Sequence, residues 1–190
     1  MRGLAVSLIV LSSAALAAQA PPPPMTMTVA GFADGGQIPV KYSQAAPGVA
    51  TGEGLSPAIT WMNVPAGTQS FVLNMHDMDV ARNKTTDDQA HWIVWNIPGT
   101  ATSLPEGVPK GAKLADGSYQ FSATGQMYRG PGAPANGPQH HYMFELFALD
   151  TKLDVQPAAD AFESRANVMK AMQGHILGKA VYGGLFKRPQ

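Results

Sequence analysis

His140-His141-Tyr142-Met143-Phe144-Glu145-Leu146-Phe147-Ala148-Leu149 is the stretch on which the fold turns. From Tyr142 to Leu149 it is aromatic or apolar almost throughout and contains neither Gly nor Pro. It follows a segment, 128–139, dominated by those two residues. A long, largely buried strand is predicted over Tyr142–Leu149. Side chains alternate across a strand. His140, Tyr142, Phe144 and Leu146 therefore share one face, and His141, Met143, Glu145 and Phe147 the other.

Outward from this strand the same grammar repeats. Met25 to Val29 alternates with period two, and Ile59–Met62, Ser70–His76 and Trp92–Ile97 read as further strands. Asp34-Gly35-Gly36, Val64-Pro65-Ala66-Gly67 and Pro98-Gly99 are turns, and 45–54 and 104–118 are loops. Met78–Gln89 reads as a charged loop. One helix is signalled by Phe162, Ala166, Met169 and Met172/Gln173 at helical spacing, taken as a core-packing stripe. Asp160 and Glu163 resemble a capping box at its start, and Gly174 is a natural stop. Leu177–Phe186 supplies a last strand. Strands separated by turns rather than helices predict a mainly β architecture, an antiparallel sandwich or barrel with one or two peripheral helices.

Composition narrows the function. Of 190 residues, 20 are Gly and 16 are Pro, and none is Cys. Disulfides, thiolate metal sites and a cysteine nucleophile are excluded. Lys plus Arg (13) balances Asp plus Glu (13), so no net field draws nucleic acid or an anionic membrane.

Residues 1–20 carry the three parts of a secretory signal peptide. Arg2 is the positive start, Leu4–Leu16 the apolar run, and Ala18-Gln19-Ala20 the small-x-small cleavage signal. Periplasmic or secreted localisation is expected after cleavage near Ala20. Pro21–Pro24 is a stiff spacer, and 25–190 is read as a single domain.

Candidate chemistry gathers where strands meet loops. Asp77 continues the Phe71/Leu73/Met75 face, so it sits at the mouth of an apolar interior, while His76 points the other way. In antiparallel neighbours, the end of one strand lies beside the start of the next. Asp77 and His91 can then share a rim, joined by the His140/Tyr142 pair if that strand runs in the same sense as the His91 strand. The run Tyr128-Arg129-Gly130-Pro131-Gly132-Ala133-Pro134 offers backbone N–H groups as an anion nest. The expected site is a cup in which Asp77 orients a histidine, and histidines, a tyrosine hydroxyl and N–H groups meet a phosphate or carboxylate. His76, His141 and His175 are assigned structural roles.

Six segments in order resemble the phosphatidylethanolamine-binding protein family, in its bacterial, Raf-kinase-inhibitor-like branch. They are Phe32-Ala33-Asp34-Gly35-Gly36-Gln37-Ile38-Pro39, Ser56-Pro57-Ala58-Ile59-Thr60-Trp61, Val64-Pro65-Ala66-Gly67-Thr68-Gln69-Ser70-Phe71, Asp77-Met78-Asp79, His91-Trp92-Ile93-Val94-Trp95-Asn96-Ile97-Pro98 and His140-His141-Tyr142. The resemblance implies a β-sandwich with a small pocket for phosphate-like anions such as phospholipid head groups. By position it implies ligand-binding roles for Asp77, Asp79, His91, Gly130, Pro131, Gly132, His140 and Tyr142. It also implies modulation of a kinase or protease. The family's Asp-Pro-Asp-Ala-Pro reads here Asp77-Met78-Asp79-Val80-Ala81, without either proline.

The function expected is a non-enzymatic exported binder of small anions, with no cofactor, no bound metal and no nucleic acid. The protein partner is unidentified, and a homodimer is left open. The alternative is a hydrolase in which Asp and His act as acid and base or hold a metal. No Gly-x-Ser-x-Gly turn supports a serine nucleophile.

Overall fold

A computed structural model describes residues 22–190, so the expected signal peptide and the first proline of the spacer lie outside the described residues. The elements are β1 (Thr26–Val29), β2 (Gly36–Gln37), a 3₁₀ turn (Val40–Tyr42), β3 (Ile59–Met62), β4 (Ser70–Ala81), β5 (Asp88–Pro98), β6 (Ser103–Leu104), β7 (Tyr119–Phe121), β8 (His140–Leu149), α1 (Ala161–Ala171) and β9 (Ile176–Phe186).

Six strands form one sheet in the order β2-β9-β8-β4-β5-β7, and three form another in the order β1-β3-β6. Pairing is antiparallel except for β2 with β9, which run parallel. The fold is the expected sandwich, open rather than closed into a barrel, with a single α-helix among the described residues.

Alternation explains the layers. Phe71, Leu73 and Met75 of β4, Trp92 and Val94 of β5, and Tyr142, Phe144 and Leu146 of β8 face the small sheet. There they pack with Met27, Val29, Ile59 and Trp61. The opposite side chains, Val72, Ile93, Trp95, Phe147 and Leu149, are covered by Leu153, Val168 and Met172. Both faces of β4 are buried from Ser70 to Asp77: the inner one is apolar at Phe71, Leu73 and Met75, and the outer one carries Val72 with the polar Asn74 and His76.

Three expectations are corrected. The segment expected as a loop from Met78 to Gln89 is strand at both ends: β4 continues to Ala81 and β5 begins at Asp88, which leaves 82–87 as the loop. Its charged residues suggested solvent, but the Ala81–Asp88 pairing to β5, reached through a register shift after Asp77, extends the ladder. The first α-helix face to be buried is Ala161, Ser164 and Val168, continued by Met172. The Phe162/Ala166/Met169 stripe lies beside that face, and Ala166 is exposed. The cap is one-sided: Asp160 Oδ1 accepts from the Glu163 N–H at 2.9 Å.

A polar network ties the helix to the sheet. His76 pairs with Asp88, which also accepts from Arg165 of α1, and the His76 Nε2 lies 3.3 Å from Glu145. Burial opposes charge on His76, but the Asp88 and Glu145 carboxylates outweigh it and raise its pKa. Burial also opposes charge on Glu145, yet His76, Lys179 and Asn74 push it down to about 2.

Met75 is fully buried between the sheets, whereas Val181 on β9 is 43% exposed. Met75→Ala is expected to lower the unfolding free energy by about 2–5 kcal/mol. Val181→Ala is expected to stay within roughly 0.5 kcal/mol. Urea unfolding of the two variants measures both.

Candidate functional site

The register of three strands builds the site. β5 and β8 flank β4, both antiparallel to it, so they run in the same sense. Asp77 near the end of β4 is opposite Gln89 on one side and Tyr142 on the other. The rim expected from strand order is therefore a physical neighbourhood.

His91 reaches that rim through a β-bulge. Met75 pairs with Trp92 and the next residue, His76, with Ala90, so His91 has no partner on β4. In a regular strand His91 would share the face of Ile93 and Trp95, which is covered by the helix. The bulge re-aims it to the other side. Its ring stands edge-on to that of Tyr142, with centroids 5.0 Å apart.

Asp77 is the most committed group. Its Oδ2 accepts from His140 Nδ1 at 2.8 Å, and its Oδ1 from the Asp79 N–H at 3.0 Å. The Tyr142 hydroxyl lies near enough to the same carboxylate to feel its charge. That hydroxyl in turn accepts from the N–H groups of Gly132 and Ala133, each at 3.2 Å. The backbone nest predicted to hold an anion is thus occupied by Tyr142, because the phenol of β8 lies directly beneath the loop. Burial pushes the phenol above its ordinary pKa, and the Asp77 carboxylate adds to the effect.

His91 departs from the expected cup in a second way. Its Nδ1 donates to the Arg129 carbonyl at 2.9 Å, and the Arg129 N–H returns a bond to the His91 carbonyl at 3.0 Å. Burial dominates and pushes the ring down to about 4, against the pull of the Arg129 carbonyl. His91 is neutral at pH 7 and contributes no cationic donor.

The remaining predicted residues divide. Asp77, His91, Gly132, His140 and Tyr142 line one cavity of about 300 Å³. Gly130 and Pro131 lie behind that wall. A Cβ at Gly130 would come within 2.8 Å of the Tyr42 carbonyl oxygen, so Gly is required there for backbone packing rather than ligand contact. Asp79 also stands off the cavity. Its Oδ2 accepts from the His141 N–H at 2.6 Å and from His141 Nδ1 at 3.0 Å. With the Asp79 N–H bond to Asp77, these contacts pin the segment where the family's prolines are missing.

The sequence reading missed Arg82, Arg129 and Arg188, which line the same cavity with Gln44 and Gln89. None of the three arginines forms an ion pair among the described residues. Arg129 sits inside the Tyr128–Pro134 run and was the legible signal. Arg82 and Arg188 are distant in sequence and carried none. Ligand atoms of Asp77, Asp79 and His140 also lie within 4.8 Å of one another, the spacing a metal ion would need. The hydrogen bonds just described already engage oxygens of both carboxylates and one nitrogen of the ring.

Residues 28–187 match the profile of the family described as Phosphatidylethanolamine-binding protein. The chain belongs to the phosphatidylethanolamine-binding protein family. Its relatives include the UPF0098 protein of Methanothermobacter thermautotrophicus, 39% identical over 166 residues, spanning 86% of this chain and 99% of that one. The UPF0098 protein YbhB of Escherichia coli is 36% identical over 159 residues, 80% of this chain and 94% of that one. Among solved structures, Escherichia coli YbcL matches with a TM-score of 0.70 at 25% identity, covering 87% of this chain and 99% of that one. A phosphatidylethanolamine-binding protein homologue from Chlamydia trachomatis matches with a TM-score of 0.69 at 29% identity, covering 87% and 98%.

The buried His91 makes stability depend on pH. In the unfolded chain a histidine takes up its proton near pH 6.5, but here the ring resists until about 4. Between those values the unfolded state binds more protons, so this contribution to stability is complete above 6.5 and is lost as pH falls toward 4. An NMR titration of the His91 ring should give a midpoint near 4. A midpoint near 6.5 would show an exposed ring.

Proposed function

We propose that this family member is a binding protein for small phosphate- or carboxylate-bearing anions, held in the cavity at the end of β4, β5 and β8. The observation that carries the reading is the convergence of three arginines without carboxylate partners on one cavity. Guanidinium forks suit oxyanions because they donate paired N–H bonds. His140 adds a donor: Asp77 fixes Nδ1, leaving Nε2 without a partner among the described residues.

The same field argues against the hydrolytic alternative. Guanidinia around the cavity oppose a divalent cation at Asp77 and His140. Asp77, with a donor already on each of its two oxygens, is poorly placed to accept a further proton as a general base. Binding without chemistry is the function these constraints favour.

We also propose export. The Arg2 start, the Leu4–Leu16 apolar run and the Ala18-Gln19-Ala20 site support it, and the domain has no cysteine that would register a redox compartment. A pocket facing the periplasm or exterior would meet soluble anions or the head groups of lipid.

Inorganic phosphate at about 1–10 mM, the range of weak single-anion affinity, should shift the His140 ring signals saturably. Arg129→Gln should weaken that binding roughly ten- to a hundredfold, the loss of one charged hydrogen-bonding partner. Unchanged His140 signals across the titration would contradict the reading.

A further inference from the structure

The three arginines arrive from three separate segments, and backbone bonds fix each one. The Arg82 N–H, just beyond β4, donates to the Asp87 carbonyl at 2.8 Å. The Arg129 N–H, before β8, donates to His91 at 3.0 Å. The Arg188 N–H, beyond β9, donates to the Ala133 carbonyl at 2.9 Å. Arg82 is further held by Gln89 and by the Phe162 ring, 5.9 Å from the guanidinium carbon to the centroid.

In all three side chains the Nε is buried and has no hydrogen-bond partner. Buried donors without acceptors are uncommon in folded proteins. Three on arginines around one cavity mark positions where acceptor oxygens belong. Burial lowers the pKa of Arg129, and the charge of Arg82 lowers it further, with Tyr142 and Asp77 acting in the opposite direction.

The lining side chains carry three formal positive charges from arginine and one negative charge from Asp77. Both oxygens of Asp77 are already engaged, by the Asp79 N–H and by His140. Asp79 stands outside the lining and holds His141. No lining carboxylate is therefore free to receive an ammonium group. A single negative charge would leave the guanidinia under-neutralised, whereas two would match the excess.

We infer that this pocket selects a compact ligand with at least two negative charges and no cationic group, a phosphate monoester dianion, over a zwitterionic phosphodiester. Arg82, Arg129 and Arg188 make the selection. The inference rests on the anion-binding reading above and adds a charge rule to it. The monoester could sit on a soluble metabolite or on a lipid head group, since the cavity of about 300 Å³ reads only the terminal group.

Calorimetric titrations with glycerol 3-phosphate and with glycerophosphoethanolamine test the rule on the full chain from Pro21. The first should bind at least tenfold more tightly. Arg188→Gln, checked for an unchanged melting curve, should narrow that ratio by weakening the first ligand more than the second. Equal affinities, or a preference for the zwitterion, would overturn the charge rule while leaving the anion pocket standing. Binding of neither ligand would overturn both. Co-sedimentation then separates the sources. Preference for phosphatidic acid vesicles over phosphatidylethanolamine vesicles places the monoester on lipid. Binding of glycerol 3-phosphate with neither vesicle captured places it on a soluble compound. Preference for the phosphatidylethanolamine vesicles would contradict the inference.

Discussion

A carboxylate at the end of the central strand organises this molecule. Asp77 is only 3% exposed. A buried carboxylate is tolerated when donors satisfy it, and Asp77 has one on each oxygen: a ring nitrogen of β8 and the backbone N–H two residues on. Each donor imposes a condition. His140 must face the carboxylate, β8 must lie beside β4, and the Asp79 N–H must bond back to Asp77. Tyr142, paired in register with Asp77, extends the constraint because its hydroxyl fixes the Gly132–Ala133 backbone. Strand register, loop position and cavity wall thus follow from one satisfied charge.

This arrangement divides labour between structure and recognition. The groups that resemble a binding cup, namely the loop N–H pair, the phenol and His91, are largely spent on one another. His91 is neutral and tied to the Arg129 carbonyl. The arginines remain. A chain of zero formal net charge can still attract a small anion, since three cations gather at one cavity while acids such as Asp88 and Glu145 are neutralised on the opposite face of the sheet. Net charge governs long polyanions, whereas a single anion responds to the local field.

Much of the fold was legible because burial writes itself into alternation. The Tyr142–Leu149 strand and the opposed faces of His140 and His141 could be read directly, as could the core-facing position of Asp77. What could not be read was anything set by tertiary pairing. The bulge at His91 leaves no mark in composition, yet without it simple alternation would turn that ring toward the helix. A second bulge acts likewise at Asn96, where a positive φ of 59° and a two-way clasp to Leu153 let Ile97 return to the inner core. The charged stretch after Asp77 looked like loop, but pairing of Ala81 with Asp88 of β5 carries β4 on to Ala81. In the site, the Gly/Pro run was correctly suspected of forming a wall. Only Gly132 of the three residues named in it lines the cavity, with Ala133 and Pro134. Arg82 and Arg188 escaped notice because 106 positions separate them in sequence and only the folded chain brings them together.

The central claim is that the unpaired arginines, rather than the nest or His91, hold the anion. A crystal of the protein grown with selenate, with diffraction collected at the selenium absorption edge, locates a bound dianion without assumption. The account predicts an anomalous peak inside the cavity within hydrogen-bonding distance of at least two of Arg82, Arg129 and Arg188, with the Gly132 and Ala133 N–H groups still directed at Tyr142. A peak seated on those N–H groups with Tyr142 displaced, or peaks only on the outer surface, would contradict it.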